Sequence, residues 1–396
     1  MGRDMFLRGG AVMLRCFKLK NYKNFKNEID IDFENIAGYQ FNTDCLEDGL
    51  ISKMMIYGRN ATGKTNLGKA LMDITNTIFG ERPLRSRGIL LNADSMEDAA
   101  TFCYVFKFGD DNLQYEYSRF SEFELKEERF LINGIEIFNC DFHQKMYNFK
   151  NLSYIHAETA NVELYLESLE SEGAEEIIEP KLPFLKWLIG NIALVNGSIL
   201  LRLVSYVRRM NLVTAGNSMW YRFRGGKDSF FDILEKQDRL LDFEEFLNEM
   251  GIECKLLIEK LPDGQKNLYF IHERQLVPFY ENASSGTLAL VELYRRFVLR
   301  AGESSLIYLD EFDAFYHYEM SENVVRYFKK KYPKCQIIMT SHNTNLMTNK
   351  IMRPDCLFIL SRSGTLTALC NATERELREG HNLEKMYISG EFEKYE

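Results

Sequence analysis

Gly58-Arg59-Asn60-Ala61-Thr62-Gly63-Lys64-Thr65 follows the pattern glycine, four residues, then Gly-Lys-Thr, which is the spacing of a phosphate-binding loop. The chemistry needs these residue types in this order. Glycines let successive backbone N–H groups turn inward around an anion, and a helix behind them adds the positive end of its dipole. In such a loop the ammonium of Lys64 reaches the outer phosphates, and the hydroxyl of Thr65 supplies an oxygen to Mg²⁺. A glycine-bearing turn that only caps a helix can carry the same letters, so the motif has to be weighed with the rest of the chain.

Three later stretches complement it. Asn282-Ala283-Ser284-Ser285-Gly286-Thr287 places small and hydroxyl residues ahead of a helical pattern with Leu290, Leu293 and Phe297 on one face. Its free N–H groups suit an anion, although a plain helix cap has the same composition. Leu306-Ile307-Tyr308-Leu309 is an apolar run closed by Asp310 and Glu311. There Asp310 is the candidate metal ligand, and Glu311 the candidate group that orients and polarises an attacking water. Adjacent acids also end ordinary strands. Finally, Gln336-Ile337-Ile338-Met339-Thr340 leads to Ser341-His342-Asn343. An imidazole at that place can donate to a terminal phosphate and register its presence. A lone histidine is also often just a satisfied core group.

These residues meet only if the elements carrying them converge. Met54–Tyr57 reads as a buried strand and the segment from Lys64 to about Phe79 as a helix, giving strand, loop, helix. The runs ending at Asp310 and Ser341 read as further buried strands, separated by a helix over 321–331. Ligand sites in parallel α/β sheets lie at the carboxyl ends of the strands. Ahead of the loop, Leu14–Lys20 and Ile29–Phe33 alternate apolar and polar residues, the period of paired half-buried strands. Four strand-like runs follow (100–108, 113–120, 122–130 and 135–138), with turn residues at 109–111 and 133–134, and read as an antiparallel meander. From about 162 to 250 the apolar residues recur at helical spacing, as in Ile199-Leu203-Val207-Met210. Strands then return at 253–260 and 268–272. The expected division is residues 13–160 as the first part of a head, 161–250 as an inserted helical lobe, and 251–396 as the remainder of the head.

Composition narrows the class. Apolar residues make up 45% and charged residues 27%, which fits a globular chain with a large core. The net charge of −9 does not favour nucleic acid or an anionic membrane as a partner, though a local basic patch stays open. Tyr221-Arg222-Phe223-Arg224-Gly225-Gly226-Lys227 interleaves aromatic and basic residues and could contact nucleic acid, or form a solvated turn. The acidic run Glu170 to Glu179 reads as a solvated helix end. Eight cysteines without a Cys-x-x-Cys pair read as small core residues of a reducing compartment. With no secretory signal and no apolar stretch long enough to span a bilayer, a cytoplasmic chain is expected. Residues 1–12 show no pattern and read as an extension.

Taken together and in this order, the four motifs resemble the ABC-type ATPase heads of the SMC, RecF and OLD proteins. Within that class the chain is most similar to bacterial AAA-type ATPases of abortive-infection and anti-phage systems. That likeness also rests on Asp310-Glu311-Phe312-Asp313-Ala314-Phe315-Tyr316-His317 and on the tail Leu377 to Gly390, and spans most of residues 13–392. It implies an α/β fold: an ABC-type P-loop head, with a mixed sheet, an antiparallel subdomain and an inserted, mostly helical lobe. It implies ATP and Mg²⁺ as ligands. Gly58 to Asn66 correspond to Walker A, Ser284, Ser285 and Gly286 to a divergent signature, Asp310 and Glu311 to the end of Walker B, and His342 to the switch histidine. The metal would rest on Thr65 and Asp310, with Glu311 and His342 as the catalytic pair. The resemblance further implies a homodimer or higher homo-oligomer of heads and a separate effector protein such as a nuclease or toxin. Ser285 stands where many such heads have glycine, implying a less close trans contact, and no Q-loop glutamine stands out. OLD relatives carry a nuclease domain after the head, for which the residues before Glu396 leave no room. A RecF-like DNA-repair ATPase, a non-hydrolysing scaffold and a transporter ATPase are the alternative readings.

Overall fold

The computed structural model describes residues 12–80, 89–171, 182–214, 230–235, 239–262, 264–295 and 304–396. The N-terminal extension, the aromatic–basic stretch 221–227, most of the acidic run and Phe297 lie outside them. In chain order the strands are β1 (Val12–Lys20), β2 (Ile29–Asp32), β3 (Leu46–Glu47), β4 (Leu50–Ile51), β5 (Lys53–Tyr57) and β6 (Ala100–Phe108). Then come β7 (Asp111–Arg119), β8 (Leu125–Ile132), β9 (Ile135–Asp141), β10 (Met146–Asn148), β11 (Met210–Thr214) and β12 (Leu256–Lys260). The last are β13 (Lys266–Ile271), β14 (Leu276–Pro278), β15 (Leu306–Asp310), β16 (Gln336–Ser341), β17 (Leu357–Leu360) and β18 (Leu366–Ala368).

The alternating N-terminal segments form an antiparallel sheet in the order β10-β9-β8-β7-β6-β1-β2. The fully apolar runs form a second sheet, β11-β15-β16-β5-β17-β18, parallel except for its last pair. Every residue of β5, β15 and β16 is buried, as expected of strands covered on both faces. Gln336 stitches the two sheets together. Its Oε1 accepts from the Leu14 N–H and the Tyr206 hydroxyl, each at 2.7 Å, and its Nε2 donates to the Leu14 carbonyl at 2.8 Å. A third sheet, β12-β13-β14, is antiparallel. The mixed α/β architecture with an antiparallel sheet beside a parallel one is the expected fold class.

Two local expectations are corrected. The helix after the phosphate loop does not run unbroken to Phe79; Lys64–Leu71 ends and Asp73–Phe79 begins a second helix. The cause is Tyr104. Its hydroxyl donates to the Ala70 carbonyl at 2.8 Å and accepts from the Ile74 N–H at 3.3 Å, replacing the direct bond between that pair and breaking the ladder. Secondly, the helical pattern Ile199-Leu203-Val207-Met210 is a helix only over Ile199–Arg208. Met210–Thr214 is instead the edge strand β11, parallel to β15. The periodicity fits either state over so short an apolar run, and pairing with β15 decides it.

Gly68 marks where the first helix closes on the sheet. A Cβ there would lie 2.6 Å from the ring of Tyr308. That ring is fully buried, and its hydroxyl donates to the Lys64 carbonyl at 2.6 Å, so it has no room to yield. Gly68→Ala is expected to lower stability by about 1–3 kcal/mol through overpacking, outweighing the roughly 1 kcal/mol of helix propensity that alanine gains over glycine. Thermal unfolding of the variant checks the sign.

The helix Phe184–Asn191 is anchored to the antiparallel sheet by one buried carboxylate. Glu128 accepts from the Phe184 and Leu185 N–H groups at 2.6 and 3.0 Å and from the Tyr115 hydroxyl at 2.8 Å. Burial pushes its pKa up to about 7, against the opposing pull of these donors and of Arg119. The folded chain therefore takes up a proton that the unfolded chain releases near 4.5. The contribution of this group is full below that value and is lost as pH rises through about 7. Between pH 5 and 7 stability is expected to fall by about 2 kcal/mol from this residue. Denaturant unfolding of wild type and Glu128→Gln across that range measures it as the difference in slope.

Candidate functional site

The parallel register brings β5, β15 and β16 to one edge with their carboxyl ends together. Tyr57 lies opposite Ser341, and Leu309 opposite Met339. The phosphate loop, Asp310-Glu311 and His342 therefore emerge side by side from three adjacent strands, at the edge where such sheets hold ligands.

Gly63 ends the loop with φ +105, a conformation that favours glycine. Ala61 also has positive φ, at 65°. Asn24, in the turn between β1 and β2, braces the loop: its Nδ2 donates to the Ala61 carbonyl at 3.3 Å and its Oδ1 accepts from Asn66. Arg59 turns outward and pairs with the Glu396 carboxylate, through Nε at 2.8 Å and Nη2 at 2.5 Å. The Thr62 hydroxyl closes on the Arg59 carbonyl at 3.0 Å. Lys64 is nearly buried. Its Nζ donates to the carbonyls of Gly58 and Arg59 at 2.7 and 3.1 Å. Burial lowers its pKa, while Glu311 and Asp310 push it back up.

The acids and the histidine close the site. The Thr65 hydroxyl donates to Asp310 Oδ2 at 2.7 Å, across 245 residues of sequence. Burial raises the Asp310 pKa, and bonds from Thr65 and Thr340 oppose the rise. His342 Nδ1 lies 3.4 Å from Lys64 Nζ and its Nε2 lies 3.2 Å from Glu311 Oε1. An ammonium can only donate, so the Lys64 contact makes Nδ1 the acceptor and leaves Nε2–H to donate a hydrogen bond to Glu311 Oε1. Glu311 itself has φ 51°, an unfavourable backbone state for a residue with a side chain, of the kind that gathers at functional sites. Ser341 donates to Asp313 at 2.7 Å.

The small-residue cap bonds within its own helix end. The Ser284 hydroxyl accepts from the Thr287 N–H at 3.1 Å and meets the Thr287 hydroxyl at 2.8 Å, capping the helix Ser285–Leu293. Gly286 lies against the Phe315 carbonyl, which a Cβ would meet at 3.3 Å. Among the described residues, Ser284, Ser285 and Gly286 make no hydrogen bond to residues 58–66. Asn24 and the ion pair of Arg59 with Glu396 escaped the sequence reading; the polar turn 21–27 was visible, but nothing in its composition tied it to the loop.

A family model described as "AAA domain, putative AbiEii toxin, Type IV TA system" matches residues 53–348, well over half of the chain. The chain belongs to this AAA-domain family. Its topology, with the loop, the paired acids and His342 at the ends of adjacent parallel strands beside an antiparallel sheet, is that of a P-loop NTPase head. No curated protein matches the sequence. Among solved structures, the SMC head domain from Thermotoga maritima shares 15% identity at a TM-score of 0.45, over 90% of this chain and 98% of that one. An SmcHead bound to the C-winged helix domain of ScpA shares 14% at 0.46, over 90% and 96%. An Smc head domain with an extended coiled coil, bound to the C-terminal domain of ScpA derived from Pyrococcus furiosus, shares 12% at 0.44, over 90% and 95%. Likenesses of this degree identify neither an activity nor a partner.

The AAA domain offers oxygen donors where a hard cation would sit. The Thr65 hydroxyl and the Asp310 carboxylate converge, and among the described residues no group of three or more His, Cys, Asp or Glu forms a metal cage. Two protein oxygens beside a phosphate loop fit Mg²⁺, which keeps its waters and binds substrate phosphates instead of a full set of protein ligands. No helix among the described residues is long and apolar enough to cross a membrane.

Proposed function

We propose that this AAA domain binds and hydrolyses ATP between two copies of the chain. The observation that carries the reading is the contact of Thr65 with Asp310 at 2.7 Å, which joins the loop helix to the acid pair. In this reading the N–H groups of Gly58 to Thr65, with Asn66 following, hold the phosphates. Lys64 exchanges the Gly58 and Arg59 carbonyls for phosphate oxygens. Thr65 and Asp310 hold Mg²⁺, which when bound offsets phosphate charge. Glu311 leaves His342 and orients the attacking water, accepting its proton, while His342 Nε2–H turns to the terminal phosphate. Ser284, Ser285 and Gly286, which among the described residues make no hydrogen bond to the loop of their own chain, face the loop of the second copy, so ATP joins the dimer and hydrolysis releases it.

The family description, with its toxin and toxin–antitoxin terms, supports a further step: a sensor or regulatory scaffold of an anti-phage, abortive-infection system that holds or releases a separate effector. The test is phosphate release at saturating Mg²⁺ and ATP, with molecular mass by light scattering in the same samples. Turnover with ATP-dependent dimerisation supports the enzyme. An ATP-dependent dimer without phosphate release supports the non-hydrolysing scaffold, and a monomer throughout overturns the shared site. Salt-sensitive DNA binding would move the reading toward a RecF-like repair ATPase. A nuclease, reverse transcriptase or toxin in a neighbouring reading frame would support the defence role.

A further inference from the structure

We propose that Thr340 is a positioning residue for this site, setting both the Asp310 carboxylate and the backbone of Glu311; the inference rests on the ATP-binding reading above. Thr340 is the next-to-last residue of β16 and is fully buried. Its hydroxyl uses both of its hydrogen-bonding capacities on the acid pair. It donates to Asp310 Oδ1 at 2.9 Å and accepts from the Glu311 N–H at 2.8 Å. Asp310 is thereby held from two sides, its other oxygen taking the Thr65 hydroxyl at 2.7 Å. A carboxylate gripped at both oxygens cannot rotate away from the loop. The Thr340 carbonyl also accepts from the Phe312 N–H at 3.3 Å, so the chain is pinned on both sides of Glu311.

This accounts for the backbone of Glu311. Its φ of 51° persists only where the surroundings enforce it. The enforced turn aims the side chain at His342, which follows Thr340 by two residues and meets Glu311 Oε1 at 3.2 Å. One hydroxyl thus couples the strand that ends in the histidine to the strand that ends in the two acids. Residues that orient ligating carboxylates in this way affect metal affinity and activity without touching the metal.

The alternative is that Thr340 only fills space as a β-branched strand residue, and two substitutions separate these roles by opposite rank orders. Thr340→Val keeps the shape and removes the hydroxyl; Thr340→Ser keeps the hydroxyl and removes the methyl. A packing role is satisfied better by valine, a positioning role by serine. The first readout is the Mg²⁺ concentration for half-maximal binding of a fluorescent, non-hydrolysable ATP analogue to the full chain. The second is phosphate release resolved into kcat and KM, and the third is the melting temperature without nucleotide. Thr340→Val is expected to raise the Mg²⁺ requirement and lower kcat by about tenfold each, with Thr340→Ser within about twofold of wild type in both and KM for ATP little changed. Thr340→Val behaving as wild type, or Thr340→Ser as impaired as Thr340→Val, overturns the proposal. If wild type binds the analogue but releases no phosphate, the hydrolysis reading fails, and the Mg²⁺ titration decides Thr340 by the same two outcomes. If wild type binds no Mg²⁺-dependent analogue, both fall. Should Thr340→Val melt well below wild type, comparison of the two variants at a temperature where both are folded keeps the rank order readable.

Discussion

Lys64→Ala weakens ATP binding by about a hundredfold or more, the loss of a charge-assisted contact to phosphate in a nearly buried site. The ammonium is already poised. It lies at the mouth of the loop on the Gly58 and Arg59 carbonyls, at 2.7 and 3.1 Å, and these are neutral acceptors that a phosphate outcompetes. Its charge is favoured by Glu311 and Asp310 even as burial disfavours it. Without it, the two acids face incoming phosphate oxygens with no cation from the protein between them, so repulsion adds to the lost bond. The chain should remain folded, because the two carbonyls it leaves stand beside a solvated loop. Titration with a fluorescent ATP analogue reads the affinity, and a melt without nucleotide confirms the fold. Affinity within threefold of wild type would mean that the loop does not grip phosphate.

Glu311→Gln keeps ATP bound and slows its hydrolysis by about a hundred- to a thousandfold, the range for removing a positioned general base. Glutamine has nearly the same shape, faces the same backbone demand at φ 51°, and still offers an oxygen to His342 in place of the 3.2 Å contact. It cannot take a proton from water. Binding therefore survives while the chemical step fails, and the ATP-bound dimer outlives that of wild type. Single-turnover phosphate release and the lifetime of the dimer on a sizing column measure the two halves of the prediction. Wild-type turnover in Glu311→Gln would remove Glu311 from the catalytic role.

Together the two substitutions separate grip from chemistry, and the separation has a structural origin. Lys64 belongs to the loop after β5 and Glu311 to the end of β15, while His342, after β16, touches both. Substituting His342 disturbs both functions at once, which makes it the less informative first test.

Much of the site was legible because short-range rules write it. A glycine is needed where Gly63 adopts φ +105, an apolar run is needed for a strand buried on both faces, and acids or a histidine are needed at its exposed end. Those requirements act on neighbours in the chain, so they leave a local pattern. The phosphate loop, the strand before Asp310 and the strand before His342 could all be read for that reason, and so could the alternation of β1 and β2. What could not be read were interactions set by distant partners. Tyr104 breaks the helix after the loop through bonds that span 30 and 34 residues of sequence. β11 is a strand because β15 lies beside it; its own residues match a helix as well.

The chain's sequence by itself determined that a phosphate loop, a capped helix, a paired-acid strand and a histidine strand follow one another, since each is a pattern over fewer than ten residues. Only the tertiary structure decided that Thr65 and Asp310 touch, that Thr340 bonds the Asp310 side chain and the Glu311 backbone, and that the Ser284 hydroxyl closes on Thr287. Strand order and register are set by burial of whole faces and by hydrogen bonds between segments hundreds of residues apart, and no local spacing carries that information.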